Sequence, residues 1–340
     1  MKRFGWLLLG TALLTTCRRG DAPLPNTPGG NFTAFWQDFE RHYAGFALPG
    51  TPDWDSLRRA VEPRVTASMP DTALFGVLSH LILSLRDAHA TPLVATNLNA
   101  RVNFYTLATH RKPANYLGWR ATFDRYVQAV QNVRSNISYG QIGPDVGYLA
   151  IASFADAASD YLVIDEFLSR YATARGIILD VRHNGGGDEA NARTVASRFA
   201  DRERVYRYAR LRNGPGRTDL GDFQPLRVGP AGPRQFTRPV VLLTNRRTFS
   251  AAEDFTLMLR SLPHVSHVGD TTLGGAATRP APRTLPNGWT YRMPEALSYQ
   301  PDRQSIQGGI APQVPVWMSR ADSLAGRDRL LEEALRRLRP

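Results

Sequence analysis

Cysteine and lysine are nearly absent from this chain. Cys17 is the only cysteine, and Lys2 and Lys112 are the only lysines, in 340 residues. A single thiol excludes an internal disulfide, and its place near the N-terminus excludes a thiolate metal cluster or a cysteine nucleophile in the folded part. The formal charge of +12 comes almost wholly from arginine. These arginines are scattered and form no basic runs interleaved with aromatics, so a nucleic-acid partner is not indicated, although a mild attraction to anionic surfaces is. There is no G-x-G-x-x-G and no glycine loop closed by Lys-Ser/Thr, which removes the usual nucleotide sites. No serine sits in G-x-S-x-G, which argues against an esterase of the α/β-hydrolase type.

Long apolar runs are missing too. The longest, Phe4–Leu14, follows the basic pair Lys2-Arg3 and is too short for a permanent membrane span, so it reads as a targeting segment. It ends in Leu14-Thr-Thr-Cys17, which resembles a bacterial lipobox with Thr16 where a smaller residue is usual. The expectation is a lipoprotein-type signal peptide over 1–17 with Cys17 as the lipidated residue; an ordinary signal peptide is the alternative. Either way the protein is expected to be exported, as a periplasmic or cell-envelope lipoprotein in the first case. Residues 18–30 hold Pro23, Pro25, Pro28, Gly29 and Gly30 and are expected to be a flexible tether.

Residues 31–92 are expected to form a helical subdomain. Phe32, Phe35, Trp36, Phe39 and Tyr43 recur at helical spacing, Pro52-Asp53-Trp54-Asp55 opens a second helix, and Leu74, Phe75, Leu78, Leu81, Ile82 and Leu85 stripe a third. Continued by four residues, that stripe reaches His89 at the expected helix end. Residues 93–146 read as a connecting segment with a strand near Val102–Leu107 and another near Tyr126–Val133, too short for an added PDZ domain. From Gly147 to the end, strands alternate with helices. Gly147–Phe154, Gly176–Val181, Pro239–Thr244 and His264–Val268 are strands; 160–171, 188–199, 250–260 and 328–338 are helices. Residues 213–237 read as a surface excursion. The fold class is therefore α/β, a helical subdomain before a mixed β-sheet core with flanking helices.

Chemistry concentrates in two corners of that core. The buried strand Ile177–Val181 breaks into His183-Asn-Gly-Gly-Gly187 and then a helix with acidic Asp188 and Glu189 at its start, which disfavours an anion there. Three glycines allow either a tight strand-to-helix turn or a set of bare backbone donors. Ser250 stands between the strand Pro239–Thr244 and a helix. Ser250-x-x-Glu253 has the form of a capping box, so a purely structural role is open. Its functional reading is a nucleophile in the positive field of a helix N-terminus, with the Ala251 N–H as one oxyanion donor and the 185–187 corner as the source of a second. A serine needs a base, and lysine is too scarce to supply one readily. Among the histidines, His89 projects into a cleft between the two halves and is the first candidate; His183 in the glycine corner is the second.

At this point the chain resembles the tail-specific (C-terminal processing) serine peptidase family, in the branch of the tricorn core and the interphotoreceptor retinoid-binding modules. The marks are Asp53-Trp54-Asp55, Leu85-Arg-Asp-Ala-His89, Gly147-Tyr-Leu, Asp180-Val-Arg-His-Asn-Gly-Gly-Gly187, Thr244-Asn-Arg-Arg-Thr-Phe-Ser-Ala-Ala-Glu253, Gly269-Asp-Thr-Thr-Leu-Gly-Gly275 and Gly309-Ile-Ala-Pro312, in order over about 31–338. The resemblance implies a ClpP/crotonase-like core without a PDZ domain, and no cofactor or metal. It implies a peptide or protein substrate, Ser250 as nucleophile, and Ala251 with Gly185 or Gly186 as oxyanion hole. In the lysine-using branch the base follows the first glycine of Gly274-Gly275, where this chain has Gly275; the tricorn-like branch implies His89 instead. That branch orients its histidine with a glutamate whose nearest match here is Gln307, with Asp302 or Glu295 as substitutes. An uncharged amide there leaves a second function open, a weakly active or inactive protein holding a peptide or hydrophobic ligand on the same fold.

Overall fold

The computed structural model describes residues 23–90, 93–102, 117, 119–134 and 136–339. The expected signal peptide, Cys17, most of the Val102–Leu107 strand and Lys112 lie outside the described residues. Chain order is α1 (Pro28–His42), α2 (Trp54–Val61), α3 (Asp71–Ser84), β1 (Leu93–Ala95), β2 (Ala100–Val102), α4 (Trp119–Tyr126), β3 (Gln128–Arg134), β4 (Ile137–Ile142) and β5 (Val146–Ile151). Then follow α5 (Val163–Arg170), β6 (Gly176–Asp180), α6 (Glu189–Ala196), β7 (Arg204–Leu211), β8 (Gln224–Val228), β9 (Val240–Thr244), α7 (Ala251–Arg260) and β10 (Val265–Gly269). β11 (Ala277–Thr284), β12 (Thr290–Tyr299), β13 (Val314–Pro315), α8 (Arg320–Leu324) and α9 (Arg329–Arg337) complete it.

Helix α1 starts inside the expected tether. Thr27 accepts a hydrogen bond from the Gly30 N–H and Pro28 occupies the first turn, where a missing N–H costs nothing. The acidic caps Asp53, Asp188 and Asp328 open α2, α6 and α9 in the same way.

Two sheets carry the fold. A seven-stranded sheet runs β13-β10-β9-β6-β5-β4-β3. It is parallel from β13 to β5 and antiparallel beyond. The all-buried strands Gly176–Asp180 and Val240–Thr244 are its centre, as continuous apolar runs demand. Helices α5, α6 and α7 pack on one face, with Phe167, Val195, Phe255 and Met258 in that core; α4 and α9 cover the other, with Phe123, Leu330 and Leu331. The second sheet, β2-β1-β12-β7-β8 with β11 on β12, is antiparallel.

Three expectations change. Residues 93–146 are not a connector: β1 and β2 join the second sheet, and β3 and β4 extend the first. The helical front is not a separate unit either, since Phe35, Trp54 and Leu78 share one core with Trp289, Tyr291 and Met293 of the β12 region. Residues 213–237 contain β8, and 277–284 form β11 although Pro280 and Pro282 interrupt them. Proline is tolerated there because, among the described residues, β11 hydrogen-bonds to β12 alone.

Candidate functional site

Strands β6 and β9 are parallel neighbours, paired from Ile177↔Val240 to Asp180↔Leu243. The segments leaving their C-terminal ends therefore emerge side by side, where open α/β sheets collect their ligands. One is the glycine corner, the other leads to Ser250. They are laced together: the Phe249 N–H donates to the Asn184 carbonyl at 2.9 Å and the Thr248 hydroxyl to the Val181 carbonyl at 3.0 Å. A Cβ on Gly186 would come within 2.7 Å of the Ser250 Cβ and 2.9 Å of the Ala251 nitrogen, so only glycine allows this approach.

Ser250 itself has φ 58° and ψ −125°. A non-glycine residue holds such a conformation only where its surroundings enforce it, and such strain gathers at functional turns. The sharp strand-to-helix turn lifts the serine out of the sheet, as a nucleophile elbow does, with no G-x-S-x-G in the sequence. Glu253 enforces it. Its Oε2 accepts the Ser250 N–H at 3.0 Å, while its Oε1 accepts the Thr272 hydroxyl at 2.6 Å and the Gly274 N–H at 3.0 Å. Burial pushes the Glu253 carboxyl up to about 7. The capping-box spacing thus belongs to a tie between the serine turn and the 270–275 loop.

His89 lies beyond α3, not on it. The helix ends at Ser84 and Arg86 turns to φ 52°, a conformation that stops a helix. Asp87 then fixes the new course, its Oδ1 accepting the His89 N–H at 2.8 Å and its Oδ2 the Tyr43 hydroxyl at 2.9 Å. The expected cleft exists nonetheless. His89, Ser250, Ala251, Glu253 and Gly275 line one cavity of about 170 Å³, with Gly187, Thr278, Pro280 and Ile306. The imidazole stacks on Phe249 at 4.4 Å between ring centroids. Burial, with the Arg207 charge as the lesser cause, pulls its pKa down to about 4, so at neutral pH the ring is an unprotonated base. A Cβ on Gly275 would lie 3.2 Å from His89 Nδ1. Gly275 therefore abuts the histidine, and a side chain at that position would crowd the imidazole.

The glycine corner needs a correction. The Gly186 N–H is already taken by Asn184 Oδ1 at 2.8 Å. Gly187 lines the cavity instead. Its bridge to Phe154 is made by its neighbours, Phe154 N–H to the Gly186 carbonyl and Asp188 N–H to the Phe154 carbonyl, which directs the Gly187 N–H away from that strand. Ala251 opens α7, so its N–H has no acceptor within the helix.

None of the three candidates for orienting His89 reaches it. Gln307 Oε1 accepts the Ala276 N–H at 2.8 Å, Asp302 accepts the Gln304 N–H at 3.0 Å, and Glu295 pairs with Arg283. Among the described residues His89 Nδ1 is buried without a partner. His183, the second candidate base, is turned to Asn245 Nδ2 at 3.2 Å and lies outside the cavity lining. Sequence reading passed over Arg207, a buried cation on β7 that lines the cavity. It bonds Asp254 at 2.7 Å and Glu189 at 3.0 Å. Nothing in an alternating strand such as Val205-Tyr-Arg-Tyr-Ala marks an arginine as inward.

This two-sheet fold and its matches place the chain among the serine-type peptidases. It belongs to peptidase family S41, whose family model matches residues 145–316. Among relatives, carboxy-terminal processing protease CtpA of Bacillus subtilis (strain 168) is 29% identical over 173 residues, 50% of this chain and 34% of that protein. CtpB of the same organism is 26% identical over 140 residues, 41% of this chain and 27% of its own. The chain thus spans about a third or less of the relatives it matches. A solved protein of Parabacteroides merdae ATCC 43184 assigned to the peptidases is 27% identical with a TM-score of 0.80, covering 93% of this chain and 98% of that one. The tricorn protease, at 15% identity, TM-score 0.53 and coverage of 92% and 36%, shares the fold.

Proposed function

We propose that this protein is an exported serine peptidase that hydrolyses peptide bonds in unfolded or C-terminal protein segments through Ser250 and His89. One observation carries the reading: a serine on a strained turn and a desolvated neutral imidazole line the same cavity. Ser250 Oγ attacks the scissile carbonyl as His89 takes its proton, and the oxyanion lies at the N–H groups of Ala251 and Gly187. His89 then gives the proton to the leaving amine, and a water activated by the same ring releases the acyl group. Cavity-lining Thr278 and Pro280 put β11 beside the nucleophile, so an extended substrate lies along that strand. The substrate class draws on the relatives, which are named for carboxy-terminal processing. Export rests on the basic-then-apolar N-terminus, and lipid anchoring on Cys17. No helix among the described residues is long and apolar enough to cross a membrane.

A second reading has its own support. Without a carboxylate on His89 Nδ1, the same cavity suits a slow or inactive protein that holds a peptide. A serine-directed fluorophosphonate separates the two. Covalent labelling of the wild-type protein that falls at least about 10³-fold in Ser250→Ala and in His89→Ala is the expected result. Folded wild-type protein that takes no label would refute the peptidase reading and leave the binding one.

A further inference from the structure

The base of this site lacks the hydrogen-bonded third side chain that fixes ring orientation in a Ser-His-acid set. Gln307, Asp302 and Glu295 are all engaged elsewhere, and Nδ1 of His89 meets no polar partner among the described residues. A ring with two free torsions and no such tether would lose the alignment that general-base catalysis requires. Something else must hold it.

Resting on the reading of Ser250 and His89 given above, we propose that Phe249 is the positioning residue for His89, fixing the imidazole by stacking where a carboxylate would otherwise fix it by hydrogen bonding. The two rings lie 4.4 Å apart between centroids at an interplanar angle of 28°, a face-on arrangement. Gly275 abuts both rings at once. A Cβ there would stand 3.1 Å from Phe249 Cε2, 3.2 Å from His89 Nδ1 and 3.3 Å from His89 Cε1, so the missing side chain leaves a slot just wide enough for the stacked pair. Both rings hang from anchored backbone: the His89 N–H on Asp87 Oδ1 at 2.8 Å and the Phe249 N–H on the Asn184 carbonyl at 2.9 Å. Since Phe249 directly precedes Ser250, the surface that aims the base and the atom that needs it move together.

The stack also has an electrostatic role. When His89 accepts the serine proton it becomes a cation over a phenyl face, and the ring quadrupole attracts it. Arg207 opposes that charge; the carboxyls that face the cavity are Glu189, Asp254 and Glu253, with Asp87 on the histidine's own segment. An aliphatic side chain of similar volume would keep the packing and lose the attraction.

The experiment compares Phe249→Leu, Phe249→Tyr and Gln307→Ala by the rate of fluorophosphonate labelling of Ser250 across pH, with thermal unfolding as the check on folding. Phe249→Leu should label about tenfold more slowly at neutral pH. Its acid limb should move to lower pH by about half a unit, because the imidazolium has lost a favourable contact. Phe249→Tyr, which keeps the face, should stay within about twofold of wild type, and Gln307→Ala should match wild type. Wild-type rate and profile in folded Phe249→Leu would overturn the inference alone, as would Gln307→Ala slowing the reaction as much as Phe249→Leu. An unreactive wild type would overturn the reading of the site and this inference with it. Should Phe249→Leu not fold, the ring protons of His89 in the wild-type protein decide by NMR. A ring-current displacement upfield supports the stack, and undisplaced resonances refute it.

Discussion

Two regions of this molecule are held by opposite kinds of force. Under helices α1 to α3 the core is aromatic: Trp36 stacks on Trp54 at 4.4 Å, and Phe39 stacks on Trp54 at 5.6 Å and on Tyr291 at 5.7 Å. Around Ser250 the buried groups are Asp180, Arg182, Asn184, Thr248, Glu253 and Thr272, each committed to named donors or acceptors. Aromatic packing gains from burying area and is non-directional, so its contribution is spread over many weak contacts rather than a few specific partners. A polar network tolerates almost none, because each lost partner leaves a desolvated group unsatisfied. The front region therefore supplies stability, and the second region spends some of it to hold a strained serine in place.

The contrast is open to direct test. Trp54→Ala should cost about 3–5 kcal/mol of unfolding free energy, as large aromatic deletions do, yet leave the labelling rate of Ser250 per folded molecule unchanged. Chemical denaturation and labelling on one preparation check both halves; a rate that fell with stability would show that the regions are not independent. Glu253→Ala should do the reverse. It strands the Ser250 and Gly274 N–H groups and the Thr272 hydroxyl. The expected loss is about 1–3 kcal/mol of stability together with about a 10²-fold slower reaction at Ser250.

The contrast is sharpened further by a pair of opposed pH slopes. Burial holds the His89 pKa near 4 against 6.5, so between those values the unfolded chain binds a proton that the folded ring refuses. Relative to His89→Gln, the wild type should lose stability as pH falls from 6.5 through 4. Glu253 is raised from 4.5 to about 7, so the folded state holds a proton that the unfolded chain releases. Relative to Glu253→Gln, the wild type should lose stability as pH rises from 4.5 through 7. Urea midpoints at four pH values across this range measure both slopes, and two slopes of the same sign would contradict the burial argument.

The legible parts of this protein were those with a period or a forced neighbour. The apolar runs Ile177–Val181 and Val240–Leu243 could be nothing but central strands, and once they are parallel neighbours the glycine corner and Ser250 must meet. The α3 stripe pointed at His89 for a reason that did not hold, since Arg86 ends that course and Asp87 delivers the ring instead. Strand β11 was hidden because its prolines contradict strand propensity, and only the fold reveals that among the described residues it pairs with β12 alone. The resemblance points to Gly185 or Gly186 in the glycine corner, and sequence cannot show that Asn184 turns back on its own loop to take the Gly186 N–H. The stack of Phe249 on His89 joins residues 160 positions apart and has no periodic signature at all.

Arg182, the residue that leads into the glycine corner, is buried between Asp180 at 2.6 Å and Asp328 at 2.9 Å, and Asp328 begins the helix that covers the far side of the sheet. Until translation has passed residue 328 that guanidinium lacks half of its counter-charge, in a place where an unbalanced cation is costly. Order at the glycine corner is therefore tied to a residue 146 positions further along the chain.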